Sequence, residues 1–239
     1  MDRSPDISIV IPVHNEEGFI EGALPRLVDA LETAGASYEV IIAENGSRDA
    51  TADLAARFAL TDPRFRVLRL PEADYGAAMR AGFLEARGSW VVNFDIDYFS
   101  GDFLAAGLCL SDEADIVLAS KRAAGADDRR SVLRRTATWG FNMVLRALFG
   151  SKVTDTHGMK MVRREVVATV VPTVLSTKDL FDTELVIRAE RQGYRIAEVP
   201  AVVEEQRAAR SSFLKRIPRT VRGVWRIRRA IGREDRATT

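Results

Sequence analysis

Hydrophobic positions lay out the first half of the chain. Ile7-Ser8-Ile9-Val10-Ile11-Pro12-Val13 is a nearly continuous β-branched run, the pattern of a parallel strand buried on both faces. Pro12 ends its ladder, because proline has no N–H to donate. Apolar residues then recur at helical spacing, at Ile20, Leu24, Leu27, Val28 and Leu31, and Gly35 stops that helix. A second strand is predicted over residues 38–43, running into Glu44-Asn45-Gly46-Ser47-Arg48-Asp49. Asn-Gly makes a tight turn, and Ser47 or Asp49 is placed to cap a helix over residues 50–60. The alternation continues with a strand at 65–70, a helix at 75–86 rich in small residues, a strand at 90–94, a helix at 102–110 and a strand at 116–120. This predicts an α/β fold, a mostly parallel sheet with helices on both faces. Ligands of such sheets bind beyond the carboxyl ends of the strands.

The second half changes character. Residues 123–130 are small or charged and read as a loop, and residues 132–149 as a helix with Leu133, Trp139, Phe141, Leu145 and Leu148 apolar. After the polar segment Thr154-Asp155-Thr156-His157-Gly158-Met159-Lys160 come a helix near 164–171 and another over 180–192, stopped by Gly193. Residues 194–203 read as a strand, and 213–231 as a basic helix. The division expected is a catalytic domain over 1–212 with a basic amphipathic extension over 213–239.

Composition narrows the function classes. A net charge of +1 over 239 residues argues against nucleic acid as a partner. The single Cys109 has no partner for an internal disulfide and sits in an apolar stretch, so it reads as a small core residue in a reducing compartment. Residues 1–6 are polar, with no signal pattern, and no run reaches the roughly 20 apolar residues of a membrane span. A cytoplasmic protein is expected, soluble or peripheral on the inner membrane face. The glycine fingerprint of dinucleotide folds is missing after the first strand, and so is a P-loop.

The candidate chemistry begins at Asp95-Ile96-Asp97, directly after the strand at Trp90. Side chains two apart in extended chain share a face. Two like charges converging there cost energy unless a cation lies between them. Mg²⁺ suits such a pair, since it uses one or two protein carboxylates and completes its shell with water and substrate phosphate. The plainer reading is a solvated turn or helix cap. His14 to Glu17, Glu44 to Asp49 and Lys121-Arg122 also follow strands, so all should gather at one edge of the sheet. Acidic groups beside a basic pair suit a metal-bound nucleoside diphosphate.

The ordered series resembles the family-2 inverting glycosyltransferases of GT-A fold, above all the dolichol-phosphate mannose synthase and polyprenyl-phosphate sugar transferase branch. Ile11-Pro12-Val13-His14-Asn15-Glu16-Glu17 is similar to the opening IPxYNE segment, and Glu44-Asn45-Gly46-Ser47-Arg48-Asp49 to the DDGSxD turn. Tyr75 to Gly82 matches GxxxAxxxG, Asp95-Ile96-Asp97 the metal motif, and Asp155 to Lys160 the DxxxGFK region. Phe181-Asp182-Thr183-Glu184, with Gly193 to Pro200, is close to the late signature.

The resemblance implies roles. Pro12, His14 and Glu16 would hold base and ribose. Glu44, with Asn45 beside it, falls where the family has an aspartate on the base, and its extra length leaves the base open. Asp95 and Asp97 would bind Mg²⁺ or Mn²⁺ against the diphosphate, and Arg122 would pair with the same phosphates. His157 is a base, a metal ligand or a hydrogen-bonded structural residue. Asp155, Asp182 and Glu184 are caps, ion-pair members or acceptor-side groups, with Asp182 preferred as the base. A hydroxyl acceptor needs such a base, whereas a lipid monophosphate arrives as an anion and needs cations. Arg207, Arg210 and Ser212 lie where the family has RxxGxSK, but Arg210 replaces the glycine and Phe213 the lysine.

In the tail, arginines alternate with Val221, Val224, Trp225 and Ile227, which suits an anionic membrane surface or a helix packed on the domain with a solvated basic face. The expected activity is metal-dependent transfer of a sugar from a nucleoside-diphosphate sugar to polyprenyl phosphate at the membrane surface. The alternatives are transfer to a hydroxyl of a soluble glycan or natural-product intermediate, nucleotidyl transfer, and non-catalytic sugar-nucleotide binding.

Overall fold

The computed structural model describes residues 4–123, 125–128, 132–203 and 213–238. Its strands are β1 (Ile7–Val13), β2 (Tyr38–Asn45), β3 (Phe65–Leu70), β4 (Trp90–Asn93), β5 (Ile116–Ser120), β6 (Asp127–Asp128), β7 (Lys160–Arg163), β8 (Ile196–Pro200) and β9 (Val202–Val203). Its helices are α1 (Glu17–Glu32), α2 (Thr51–Thr61), α3 (Tyr75–Glu85), α4 (Gly101–Cys109), α5 (Val132–Phe149), α6 (Arg164–Val170), α7 (Phe181–Arg191) and α8 (Phe213–Thr238). Seven strands form one sheet in the order β3-β2-β1-β4-β7-β5-β8, and β6 pairs separately with β9. The run from β3 to β4 is parallel, as is β5 with β8.

β7 is the departure from the predicted pattern. It enters between β4 and β5, antiparallel to both. Four residues flanked by Lys160 and Arg163 are too short to show a period, and the helix that follows at once hides the boundary. The strand predicted over 194–203 divides into β8 and β9, and α8 runs seven residues past 231. Cys109 is exposed at the end of α4, contrary to its reading as a core residue.

Strand alternation divides the core. Ile7, Ile9, Ile11 and Val13 of β1 face Ile20 and Leu24 of α1, Ala55 of α2 and Leu104 of α4. Val10 faces the other way, onto Ala78, Met79 and Phe83 of α3, and that layer continues into α6 and α7. Gly82 lets α3 lie this close, since a Cβ there would stand 2.4 Å from Val10 Cγ1. A third cluster joins Leu145 of α5, Leu180 and Ile187 at α7, and Val224, Ile227 and Ile231 of α8. The inner face of α8 is thus packed on the domain, where Arg188 also pairs with Glu234 at 2.8 Å and Arg191 with Asp235 at 2.7 Å.

Candidate active site

The loops after β1 and β2 are laced together at the carboxyl edge. His14 Nδ1 lies 2.8 Å from the Asn45 carbonyl, so Nδ1 carries the proton and Nε2 accepts from Asn15 Nδ2 at 3.0 Å. Asn15 adopts φ +53°, a left-handed conformation that asparagine tolerates, and its Oδ1 accepts from the Arg48 amide. Buried Glu44 accepts from the Ser47 amide through Oε1 at 2.6 Å. The Asn45 Oδ1 accepts from the Asp74 amide at 2.7 Å, and Asp74 in turn caps α3 through the Ala77 amide. Neither predicted cap holds the N-cap position of α2, which is Ala50 with no side-chain cap: Asp49 accepts from the Thr51 amide two residues on, and Ser47 from the Asn15 amide. The Glu16 amide donates to Thr51 Oγ1 at 2.7 Å. In register, Pro12 lies beside Ala43 and Val13 beside Glu44, so the ladder with β2 runs one residue past Pro12 rather than ending there as expected. These contacts collect Pro12, His14, Glu16, Glu44 and Asn45 on one edge.

At the end of β4, Asp95 and Tyr98 exchange backbone hydrogen bonds of 3.2 and 3.0 Å, closing a tight turn with Ile96 buried beneath. Asp95 and Asp97 therefore flank the turn next to the β1–β2 edge. Burial, together with the charges of Asp182 and Asp97, pushes the Asp95 carboxyl up to about 6, against the pull of Lys160 and Lys121. Excess negative charge is concentrated here.

Behind this turn lies a charged cluster. Lys160 is fully buried at the start of β7, and its Nζ donates to Asn93 Oδ1 at 2.8 Å and the Gly158 carbonyl at 2.9 Å. The same ammonium stands 2.9 Å from Asp182 Oδ1, an ion-pair contact without hydrogen-bond geometry. Asp182 Oδ2 accepts from the Tyr75 hydroxyl at 2.9 Å. Burial, then the charges of Asp182 and Asp95, raises the Tyr75 hydroxyl well above its ordinary value, so it stays protonated. Asp182 is thus engaged on both oxygens. Glu184 is likewise consumed: it pairs with Arg188 at 2.7 Å and accepts from the Leu175 and Ser176 amides.

Asp155 is held differently. One oxygen accepts from the His157 amide at 3.0 Å; the other is buried without a hydrogen bond, 3.6 Å from Lys121 Nζ. Glu198 of β8 fixes this loop by accepting from the Thr154 and Asp155 amides. His157 is exposed, its ring edge-on to Phe141 with centroids 5.7 Å apart. Lys121 and Arg122 diverge: Lys121 faces the acidic cluster, whereas Arg122 is exposed and lines a cleft of about 310 Å³ with Arg135, Thr136 and Trp139 of α5. A larger hollow of about 590 Å³ opens beside Asp97, with an apolar floor of Phe99, Phe103, Met159 and Val199. Arg207, Arg210 and Ser212 lie outside the described residues. Tyr75 and Lys160 had no assigned role in the sequence, and Lys121 only one shared with Arg122 as a basic pair; the signal for Lys160 was a lysine between Met159 and Met161 in an otherwise apolar stretch.

Among the described residues, no three His, Cys, Asp or Glu side chains converge as a metal cluster. Asp95 and Asp97 are both half-buried, and the charge of Asp97 helps to raise the Asp95 carboxyl. That donor set fits a hard cation that takes its remaining ligands from substrate phosphate and water.

Comparison with known proteins places the architecture. Residues 8–171 match Glycosyl transferase family 2. The chain belongs to that family. This glycosyl transferase family 2 chain is 31% identical over 206 residues to Glycosyltransferase AglD of Haloferax volcanii, covering 82% of itself and 32% of the relative. It is 32% identical over 212 residues to Polyprenol monophosphomannose synthase of Mycolicibacterium smegmatis, covering 83% and 77%. The chain thus spans about a third of the archaeal relative's length and most of the mycobacterial one. Its fold is shared with glucosyl-3-phosphoglycerate synthase from Mycobacterium tuberculosis, solved with Mn²⁺, uridine diphosphate and glucosyl-3-phosphoglycerate (TM-score 0.64, 23% identity, 90% and 75% coverage). The GT-A-like α/β architecture expected of the sequence is therefore the one found.

Proposed function

We propose that this chain transfers a sugar, with inversion, from a nucleoside-diphosphate sugar to a polyprenyl phosphate. The observation that carries the reading is the Asp95–Asp97 turn at the end of β4, where burial and the charges of Asp182 and Asp97 outweigh the pull of Lys160 and Lys121 on Asp95, set beside the edge built by His14, Glu44 and Asn45. Glu44 and Asn45 would face the base, and Pro12, His14 and Glu16 the ribose. Mg²⁺ or Mn²⁺ held by Asp95 and Asp97 would offset charge on the departing diphosphate.

The acceptor reading rests on the cleft beside α5. Two guanidiniums, Arg122 and Arg135, with the Thr136 hydroxyl, suit a phosphate, and Trp139 offers an apolar wall to the chain attached to it. Arg207, Arg210 and Ser212 belong to the same proposal. A phosphate acceptor arrives deprotonated, so no side chain need remove a proton. The relative from Mycolicibacterium smegmatis is, by its name, a synthase of polyprenol monophosphomannose, which supports this choice.

We place the protein peripherally at the cytoplasmic membrane face. No helix among the described residues is long and apolar enough to cross a bilayer. α8 nevertheless exposes Val221 and Trp225 one turn apart among Arg222, Arg226, Arg228 and Arg229, and α5 exposes Trp139 and Met143. Paired Val221→Ser and Trp225→Ser changes in the full chain should reduce sedimentation with anionic vesicles at least fivefold. Truncation is the wrong test, because it would uncover the third core cluster.

A second reading has its own observation: the buried, hydrogen-bond-free oxygen of Asp155 could take a proton from an acceptor hydroxyl. A transfer assay with Mn²⁺, a panel of nucleoside-diphosphate sugars and short-chain polyprenyl phosphate decides between them. Labelled sugar in the lipid phase supports the first reading. Transfer to soluble hydroxyl acceptors alone selects the second, and release of pyrophosphate rejects both.

A further inference from the structure

Lys160 is the largest charged side chain that is fully buried, and it touches three separate parts of the candidate site. Its ammonium has three protons. Asn93, two residues before Asp95, receives one at 2.8 Å; the carbonyl of Gly158, next to His157, receives another at 2.9 Å. The third side of the ammonium faces Asp182 at 2.9 Å. Gly158 adopts φ +110°, a conformation that L side chains rarely adopt, so its carbonyl is aimed at the ammonium by a backbone shape particular to that position.

A buried lysine costs heavily in desolvation unless it is paired. A methionine of similar length would fill the same space, as Met159 and Met161 do on either side. Packing alone therefore does not explain the charge. What the charge does explain is the disposition of the carboxylates. Asp182 stands near Asp95 and adds to its charge excess, yet it is clamped between Lys160 and the Tyr75 hydroxyl.

We propose that Lys160 is a positioning residue that sequesters Asp182, keeping that carboxylate out of the cation's ligand set and out of proton transfer, and leaving Asp95 and Asp97 to take the divalent ion. The inference rests on the cation reading given above. It assigns Asp182 as the lysine's partner in place of the acceptor-side base expected from the sequence.

The test is a titration of free Mn²⁺ by electron paramagnetic resonance, on the full chain, with UDP or GDP present. Lys160→Met removes a positive charge near the ion and frees Asp182. Mn²⁺ should bind about tenfold more tightly while sugar transfer falls about a hundredfold. Asp182→Asn leaves the ammonium unbalanced, so Mn²⁺ should bind about tenfold more weakly. The double variant should return to within about threefold of wild type, as expected for two coupled charges. Lys160→Arg, which keeps the charge, should keep Mn²⁺ affinity.

A lysine that merely supports the fold predicts weaker Mn²⁺ binding in Lys160→Met and no opposite effect of Asp182→Asn. A catalytic base at Asp182 predicts lost transfer with unchanged Mn²⁺ affinity. Either result overturns the proposal, and Asp182→Asn with the double variant decides it where Lys160→Met does not fold. Wild-type protein that binds no Mn²⁺ with either nucleotide overturns the cation reading itself, and this inference with it. A wild type that binds while the variants match it overturns this inference alone.

Discussion

The two ends of the carboxyl edge are built on different principles. On the β1–β2 side, the loops are held by neutral or single-charge hydrogen bonds between adjacent turns, such as His14 to Asn45 and Glu44 to Ser47. On the β5–β7 side, side chains far apart in sequence are tied through buried charge: Tyr75 to Asp182, 107 residues apart, and Lys160 to Asn93, 67 apart. The first arrangement leaves backbone and side-chain groups at a rim, where the proposed function would seat a base and ribose. The second fixes a charge distribution, which is what a diphosphate and its counter-ion respond to. On the proposed reading, recognition and electrostatics fall to different halves of one sheet.

The largest effect should come from the turn that joins the halves. Replacing Asp97 by Ala should lower metal-dependent transfer by about 10³-fold or more, since the proposed cation would supply several kcal/mol of charge stabilisation; steady-state assays at saturating Mn²⁺ would show it.

Next is the clamp between α7 and α8. Arg188→Ala strands fully buried Glu184 and releases Glu234. Breaking one partner of a buried pair costs about 3–5 kcal/mol, to be read from urea unfolding. Smaller is the effect of Gly82→Ala, which crowds Val10 and should cost about 1–3 kcal/mol by overpacking. If that variant is as stable as the parent, α3 is not held where described.

The pH response is subtler and separates the halves again. Asp95 titrates at about 6 in the fold, above its ordinary 3.8, so its protonated form is favoured there. Its contribution to stability is therefore full below about pH 4 and lost as pH rises through about 6. Without metal, stability should decline across that window, and Asp95→Asn should flatten the decline. Mn²⁺ competes with the proton, so its affinity should rise up to about pH 6 and then level off. The smallest effect expected is His14→Ala, a loss of about 1 kcal/mol in donor binding with little change in Mn²⁺ dependence, measured calorimetrically.

How much of this the sequence showed follows the same division. Strands β1 to β5 were legible because each is a short apolar or alternating run closed by its own turn, and the carboxyl-edge rule turned their order into a candidate site. The Asp95–Asp97 pair and the β1–β2 loops could be read from neighbours a few residues away. β7 could not, because four residues carry no period and its partners lie far off in the chain. The lysine at its start was hidden for the same reason: only tertiary packing shows that it meets Asn93 and Asp182. Arg122, expected on the donor phosphates, lines the α5 cleft while its neighbour Lys121 faces Asp155, a divergence that only the folded chain shows.

The central claim is that Asp95 and Asp97 take a divalent cation together with the donor's diphosphate. Calorimetric titration of UDP and GDP into wild type and Asp97→Ala, with and without Mn²⁺, tests it most directly. One nucleotide should bind wild type at least tenfold more tightly with Mn²⁺, and Asp97→Ala should lose this gain. Equal affinity with and without Mn²⁺, or a gain that survives in Asp97→Ala, would contradict it.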